Sequence, residues 1–185
     1  MRSMMLGMVL LGSACATTGG APTVGAVREI EMAHDDGRPA ERPILPASSF
    51  ELLIKNEPNM PSFRPVRLRF MVAQPGRIQF QLYDTNEEGR PGRLLYRIER
   101  DYGPALTSNG TDGKWVIETL PPLPPMRGPV WVGVAVPEAG GEARLWAAKN
   151  DSGRVFQRDV EPQTALISSP VPYTPLVRLV VQPDR

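Results

Sequence analysis

The sequence predicts an all-β fold, a single antiparallel β-sandwich. Short segments alternate apolar and polar residues with a period of two, which is typical of half-buried strands. The 21 prolines and 17 glycines are spread between these segments, where they form turns and end strands. No segment carries apolar residues at helical spacing. We therefore expect many short strands, separated by proline and glycine turns, to form two packed sheets.

The clearest pair of strands spans residues 66–72 and 78–83, where apolar side chains occupy every second position. Between them, Ala73-Gln74-Pro75-Gly76 joins a proline, which presets the first turn dihedral, to a glycine that accepts a positive φ. We therefore predict that the two strands form a hairpin. Further strands are expected at residues 27–33, 49–54, 94–99, 114–120, 129–136, 143–149 and 176–181.

Residues 130–136 are the most apolar of these segments. Both alternating sets of side chains are apolar, which predicts a strand that is covered on both faces and lies centrally in its sheet. We expect Trp131, on this strand, to lie in the core together with Trp115, which begins the preceding strand.

Composition limits the functions that the chain can have. The 21 basic and 20 acidic residues nearly cancel, so the sequence offers no electrostatic basis for binding nucleic acid. His34 is the only histidine and Cys15 the only cysteine. We expect His34 at a strand end beside a turn, not in a multi-histidine zinc site or a Cys-His pair. No cofactor, metal or catalytic residue is predicted.

Residues 1–14 have the features of a secretory signal peptide that is later cleaved. Arg2 supplies a positive charge, a short apolar run follows, and the small residues 12–14 precede Cys15. The apolar run is much shorter than the roughly 20 residues that a membrane-spanning helix needs. We therefore expect this segment to direct export and then to be removed.

The stretch Leu10-Leu11-Gly12-Ser13-Ala14-Cys15 resembles the precursor motif of bacterial lipoproteins. The resemblance implies that Cys15 becomes lipid-modified with fatty acyl chains such as palmitate, so that it anchors the protein in a membrane. Residues 15–26 then form the lipidated cysteine and a flexible tether. Because Ala16 and not Asp follows the cysteine, the resemblance implies the outer membrane of the bacterial cell envelope. An ordinary signal peptide cut near Ala14 or Ala16 is the alternative.

A second resemblance covers residues 28–181. Four motifs occur in the order found in adhesin-type jelly-roll modules of secreted bacterial proteins, namely Asp35-Asp36-Gly37, Gly89-Arg90-Pro91-Gly92-Arg93-Leu94-Leu95, Trp115-Val116-Ile117 and Trp131-Val132-Gly133-Val134. The resemblance implies one jelly-roll-like β-sandwich domain, residues 27–185, with a non-catalytic role in attachment or recognition.

The candidate ligand face lies on the predicted hairpin. Arg67 and Arg69 should project from one face of the first strand, and Gln79 and Gln81 should project beside them from the second. Planar guanidinium and amide groups side by side suit a saccharide or a partner's carboxylates. The alternative is an ordinary solvated sheet face. Trp146 is a further candidate, either stacking on a sugar or covering the edge of the sandwich.

Residues 84–89 begin like a calcium-binding loop, with oxygen donors at alternating positions and a glycine at the sixth. Leu95 stands at the twelfth position, where such a loop requires glutamate, so we expect a surface hairpin loop. A looser calcium site built by Asp35, Asp36 or Asp84 is the alternative.

Together these features predict a lipid-anchored, non-enzymatic envelope protein that acts as a recognition or adhesion sandwich. Its expected partners are the membrane, through Cys15, and envelope proteins or surface polysaccharide. The main alternative is a structural or docking subunit of an envelope machine for motility, secretion or surface assembly. A glycan hydrolase that uses a carboxylate pair is the third.

Overall fold

The computed structural model describes residues 28–35, 37–39, 50–137, 143–148, 154–159 and 173–184. The predicted signal peptide, Cys15 and the tether lie outside these ranges, as does Asp36. Among the described residues, no helix has the length and the apolar character that crossing a membrane would require.

Within these ranges the chain forms thirteen strands and one 3₁₀ turn, Pro104–Leu106. The strands are β1 (Ile30–Met32), β2 (Phe50–Asn56), β3 (Phe63–Phe70), β4 (Val72–Gln74), β5 (Gly76–Thr85), β6 (Pro91–Tyr102), β7 (Val116–Thr119), β8 (Val130–Ala135), β9 (Arg144–Leu145), β10 (Ala147–Ala148), β11 (Val155–Asp159), β12 (Thr174–Pro175) and β13 (Val177–Pro183).

Two antiparallel sheets hold most of these strands and confirm the predicted β-sandwich. Sheet I has the order β1-β13-β3-β7, and sheet II has the order β11-β2-β8-β5-β6. One main core contains buried side chains from both, such as Leu68 and Leu179 from sheet I and Val132 and Val134 from sheet II. The two sheets therefore pack face to face.

The strand order is that of a jelly roll. When β4 and β9 to β12 are set aside, eight described strands remain. The first, eighth, third and sixth of them form sheet I, and the second, seventh, fourth and fifth lie side by side in sheet II. This interleaving is the double Greek key of jelly-roll domains, with β11 added beside β2. The jelly-roll-like fold that the second resemblance implied is therefore the observed one.

The predicted hairpin around residues 73–76 is wrong. β3 pairs with β13 and β7 in sheet I, whereas β5 pairs with β6 and β8 in sheet II. The chain instead crosses from one sheet to the other through β4, which pairs with β9. Proline and glycine suit a sheet crossing as well as a tight turn, because both require the strand to end and the chain to change direction.

The central position predicted for residues 130–136 is confirmed. β8 lies between β2 and β5, and all six of its residues are buried. Trp131 is buried as expected, but it packs with Leu53 and Tyr83 in a small cluster on the outer side of sheet II and not in the main core. Strands β11 and β12 lie outside the segments that the sequence predicted.

Three aromatic rings connect the two sheets inside the main core. Phe70 comes from β3, whereas Phe80 and Tyr102 come from β5 and β6. The Phe70 ring centroid lies 4.4 Å from that of Phe80 and 5.2 Å from that of Tyr102. Phe70 is completely buried. Aromatic contacts of this kind contribute beyond the area that they bury, so these rings hold the sheets together.

We expect Phe70→Ala to lower the free energy of unfolding by about 3–5 kcal/mol, because it leaves a cavity between the sheets. The matched control is Ile117→Ala, since this side chain is 56% exposed and its truncation should change stability by no more than about 0.5 kcal/mol. Urea unfolding followed by tryptophan fluorescence measures both. Equal losses in the two variants would contradict the assignment of Phe70 to the core.

Candidate functional site

The structure separates the residues of the predicted ligand face. Arg67 and Arg69 lie on β3 in sheet I, whereas Gln79 and Gln81 lie on β5 in sheet II. Trp146 stands between β9 and β10. The four hairpin residues therefore do not form one surface, because the hairpin that would have joined them does not exist.

Arg67 and Arg69 belong instead to a set of ion pairs on the outer face of sheet I. They alternate with the core residues Leu68 and Phe70, so they point away from the core. We call this surface the ion-pair face and define it by Glu29, Glu31, Asp35, Arg67, Arg69 and Arg178.

Glu31 bridges two strands on this face. Its Oε1 accepts a hydrogen bond from Arg178 Nη1 on β13 at 2.6 Å, and its Oε2 accepts one from Arg69 on β3. Burial opposes ionisation of Glu31, but the hydrogen bonds from both arginines outweigh burial and lower its pKa below the usual value. Beside this pair, Arg67 Nη1 donates to Glu29 Oε2 at 3.0 Å. Two carboxylates from the start of the described chain are thus bound by three arginines.

Arg178 is the most enclosed arginine of the ion-pair face. Its Nε donates to Asp35 Oδ2 at 3.1 Å and its Nη2 to Asp35 Oδ1, a bidentate pair. Its guanidinium carbon lies 4.4 Å from the centroid of the Trp115 ring, and that of Arg69 lies 5.2 Å from the same ring. Trp115 is therefore half-buried beneath two arginines, which corrects its predicted place in the core.

A groove of about 270 Å³ opens on the ion-pair face. Its lining combines charged and apolar side chains, namely Glu29, Glu31, Arg67, Arg69, Ile117 and Val180. Val180, which is 5% exposed, forms the floor. Ile117 is 56% exposed and gives the groove an apolar wall. Charged groups and an apolar surface are thus available to one ligand.

Trp146 has a separate place in the fold. Its Nε1 donates to the carbonyl oxygen of Ser108 at 3.0 Å. Its ring lies so close to Gly110, which has a φ of 86°, that a Cβ there would come within 3.0 Å of a ring carbon. This position fits the edge-covering alternative, because the ring closes over the loop that contains Ser108 and Gly110.

Gln81 is part of a polar cluster on the outer side of sheet II that the sequence did not reveal, with three buried members, Glu51, Gln81 and Tyr83. We call it the Glu51 cluster, formed by Glu51, Gln81, Tyr83, Arg97 and Arg158. The Tyr83 hydroxyl lies 3.1 Å from Glu51 Oε1 and 2.8 Å from Gln81 Oε1. Arg158 Nη2 donates to Tyr83 Oη at 2.7 Å and also to Glu51, and Arg97 Nη2 donates to Gln81 Oε1 at 3.0 Å. Gln79 is half-buried on the same strand.

Glu51 is only 2% exposed. Burial raises its pKa above the usual value, although Arg158 and Tyr83 act against this effect. Space for the carboxylate comes from Gly133 on the neighbouring strand β8. A Cβ at Gly133 would overlap the Glu51 carboxylate oxygen and would lie 2.7 Å from its Cδ. Because residue 133 has no side chain, Glu51 can lie across β8 and reach Tyr83.

His34 and Asp35, which the sequence analysis also considered as candidates, have structural roles. His34 lies two residues after the end of β1, near the strand end as predicted, and its Nε2 lies 3.0 Å from Asn56 Oδ1. Burial is the main reason that its pKa is below the usual value. Asp35 is bound to Arg178 in sheet I.

Residues 86–90 form the surface hairpin loop that we predicted between β5 and β6. Asn86 Oδ1 accepts hydrogen bonds from the backbone N–H groups of Glu88 and Arg90, at 3.1 and 2.9 Å. Asp84 accepts one from the backbone of Arg93. Across the part of the chain that the structure describes, no three His, Cys, Asp or Glu residues are grouped so that they could hold a metal ion.

The described chain is thus a jelly-roll β-sandwich with a charge-balanced groove on the outer face of sheet I. Comparison of the chain with protein-family models, curated proteins and solved structures finds no significant match. The resemblances to lipoproteins and to adhesin modules stay predictions as far as function is concerned.

We expect Gly133→Ala to destabilise the sandwich by about 1–3 kcal/mol, since the new methyl group displaces a buried carboxylate. Glu51→Ala should cost a similar amount because Arg158 and Tyr83 lose their partner. The double variant should lose less than the sum, because removing Glu51 makes room for the methyl group. Urea unfolding of the four proteins measures the coupling.

Gly103→Ala is the matched control for this cycle. A Cβ added at Gly103 would meet no atom within 4 Å, and the backbone there is extended, with a φ of −75°. Its substitution should change stability by no more than about 0.5 kcal/mol. Strict additivity of Gly133→Ala and Glu51→Ala would show that the two residues do not share one space.

Proposed function

We propose that this protein is a lipid-anchored, non-enzymatic recognition module of the bacterial cell envelope, whose sandwich binds an envelope protein or a surface polysaccharide. The observation that carries the proposal is the ion-pair face. Its arginines and carboxylates hold one another in place around an open groove, so little side-chain entropy is lost when a ligand binds. Rigid polar groups beside an apolar wall are what a recognition surface needs.

The protonation of the carboxylates supports binding over hydrolysis. A glycan hydrolase needs one carboxyl group with a raised pKa, positioned to protonate the leaving group. In the groove, Glu31 has a lowered pKa and is hydrogen-bonded to two arginines. Burial raises the pKa of Glu51, and this carboxyl group lies under Tyr83 and Arg158 on the other sheet, where it is only 2% exposed. Among the described residues, this carboxyl group with a raised pKa is therefore out of a substrate's reach.

The proposed anchor would keep this groove close to a membrane. Fifteen residues, 15–29, separate the start of the lipidated chain from β1. Even fully extended they reach about 50 Å. Strand β1 lies at one edge of sheet I and contributes Glu31 to the groove. The tether therefore joins the sandwich at the sheet that carries the recognition surface.

A docking role in an envelope machine is the second candidate, and strand β6 favours it. β6 is 12 residues long, and among the described strands it pairs with β5 alone. An edge strand of this length can accept a further strand from a partner protein. Leu94 on this strand is 40% exposed and offers an apolar contact.

The anchor is tested with Cys15→Ala in intact cells. We expect the variant to leave the membrane fraction and to lose incorporation of a labelled palmitate analogue, because the thiol that carries the lipid is gone. Ser13→Ala, which keeps the cysteine and a small residue before it, should behave like the parent. Membrane association of Cys15→Ala equal to that of the parent would rule out the anchor.

The recognition surface is tested by placing a photoreactive benzophenone side chain at position 117, in the groove, and irradiating intact cells. A benzophenone inserts into C–H bonds, so it captures protein and polysaccharide alike. Leu106, which is 40% exposed in the 3₁₀ turn, is the matched control position. We expect a crosslinked envelope component from position 117 only. Equal crosslinking from both positions would mean that the ion-pair face is not the contact surface.

A further inference from the structure

We infer that the groove of the ion-pair face binds an uncharged saccharide, as a short segment of a longer glycan. The inference rests on the proposed function, since it names the ligand class of the same face. Four features carry it: the balanced charge of the lining, its apolar wall and floor, the volume of the groove, and the paired backbone beneath it.

The charges that line the groove cancel and are already paired. Glu29 and Glu31 oppose Arg67 and Arg69, and each arginine donates to one of these carboxylates. A charged ligand would have to break one of these pairs. A hydroxyl group can instead add to them, because a carboxylate has about four acceptor sites and a guanidinium five N–H donors. The side chains of Arg67 and Glu29 are 44% and 30% exposed, so both keep hydrogen-bonding groups open to solvent.

The apolar side chains of the lining suit the C–H faces of a sugar ring. A pyranose carries hydroxyl groups around its rim and C–H groups on its faces. Ile117 and Val180 can pack against the C–H face, while the ion pairs contact the rim. At about 270 Å³ the groove is slightly smaller than the roughly 300–1,000 Å³ typical of sites for drug-sized ligands. It therefore accepts a short segment, and its open side lets a longer chain continue outwards.

The backbone below the groove argues against a peptide main chain as the ligand. Peptides are commonly captured by an unpaired strand edge. The groove lies over β13 and β3, and each of these strands pairs with a neighbour on both sides. Only side chains are left to make contacts. Paired planar groups fixed in place suit adjacent hydroxyl groups, which present donors and acceptors at a fixed spacing.

The probe is an array of neutral, uronic-acid, sialylated and sulfated glycans, used with the full-length protein in detergent. We expect binding to neutral glycans. Titration of the best neutral glycan should show an affinity that changes less than twofold between about 50 and 500 mM NaCl, because no net charge is exchanged. Binding restricted to anionic glycans, or a strong fall of affinity with salt, would overturn the inference.

Two groove variants test the location. Arg67→Ala removes a charge-assisted hydrogen bond, so affinity should fall about tenfold or more. Ile117→Asp places a carboxylate against the apolar face of the sugar and should have a similar effect. Because the Ile117 side chain is 56% exposed, we expect this variant to fold like the parent. The matched control is Arg77→Ala, which breaks an exposed arginine-carboxylate pair with Asp101 on sheet II and should leave affinity within twofold. Unchanged affinity in both groove variants would overturn the assignment.

The outcomes separate this inference from the proposed function. If no glycan binds while crosslinking from position 117 captures an envelope protein, the saccharide inference is wrong and the recognition module stands. If no glycan binds and crosslinking from position 117 yields nothing, both are wrong.

Discussion

Insertion of β13 between β1 and β3 is the constraint on which the rest of the structure depends. It places the last described strand beside the first and the third, and so completes sheet I. Arg178 on β13 then holds Glu31 and Asp35 from the beginning of the described chain, more than 140 residues away. The groove cannot exist until this strand is in place, because Val180 on the same strand is its floor. Pairing of strands so far apart in the sequence has an entropic cost of loop closure, and it is typical of slowly folding β-proteins.

The pKa of Glu31 in sheet I is lowered whereas that of Glu51 in sheet II is raised, and the balance between burial and hydrogen bonding explains the difference. Glu31 in sheet I keeps 25% of its side chain exposed and has two arginine partners, so its pKa falls. Glu51 in sheet II is nearly inaccessible and has Arg158 as its main cationic partner, so burial prevails and its pKa rises. Solvent contact and the number of donors decide the sign in both cases. Glu31 is thus suited to present its charge at the surface, whereas Glu51 holds its carboxyl group inside the fold.

The sequence predicted the positions of most strands but few of the pairings between them. Alternation identified β3, β5 and the central β8, since burial on one face or on both leaves a local pattern. It could not show that residues 73–76 cross between sheets, because a turn and a crossing use the same residue types. The outward direction of Arg67 and Arg69 followed from the alternation, whereas their carboxylate partners did not, because β1 is brought to them through β13.

Long-range geometry also explains what the sequence missed elsewhere. Glu51 alternates with apolar residues like any outward-facing strand residue, and its burial depends on Gly133 one strand away. Trp115 was expected in the core because tryptophan is usually buried, yet its ring is covered by two arginines from β3 and β13. A local pattern shows which side of a strand a residue occupies. It does not show what lies opposite.

The pairing of β1 with β13 also brings the two ends of the described sandwich together. Ile30 stands opposite Val181, at the roughly 5 Å spacing of antiparallel neighbours. A short linker from residue 184 to residue 28 would join these two ends and make the backbone a closed circle, with both sheets unchanged. The loop at residues 86–90 could then be opened while every strand pairing is kept. The architecture therefore depends on which strands are neighbours, and not on where along the circle the chain starts.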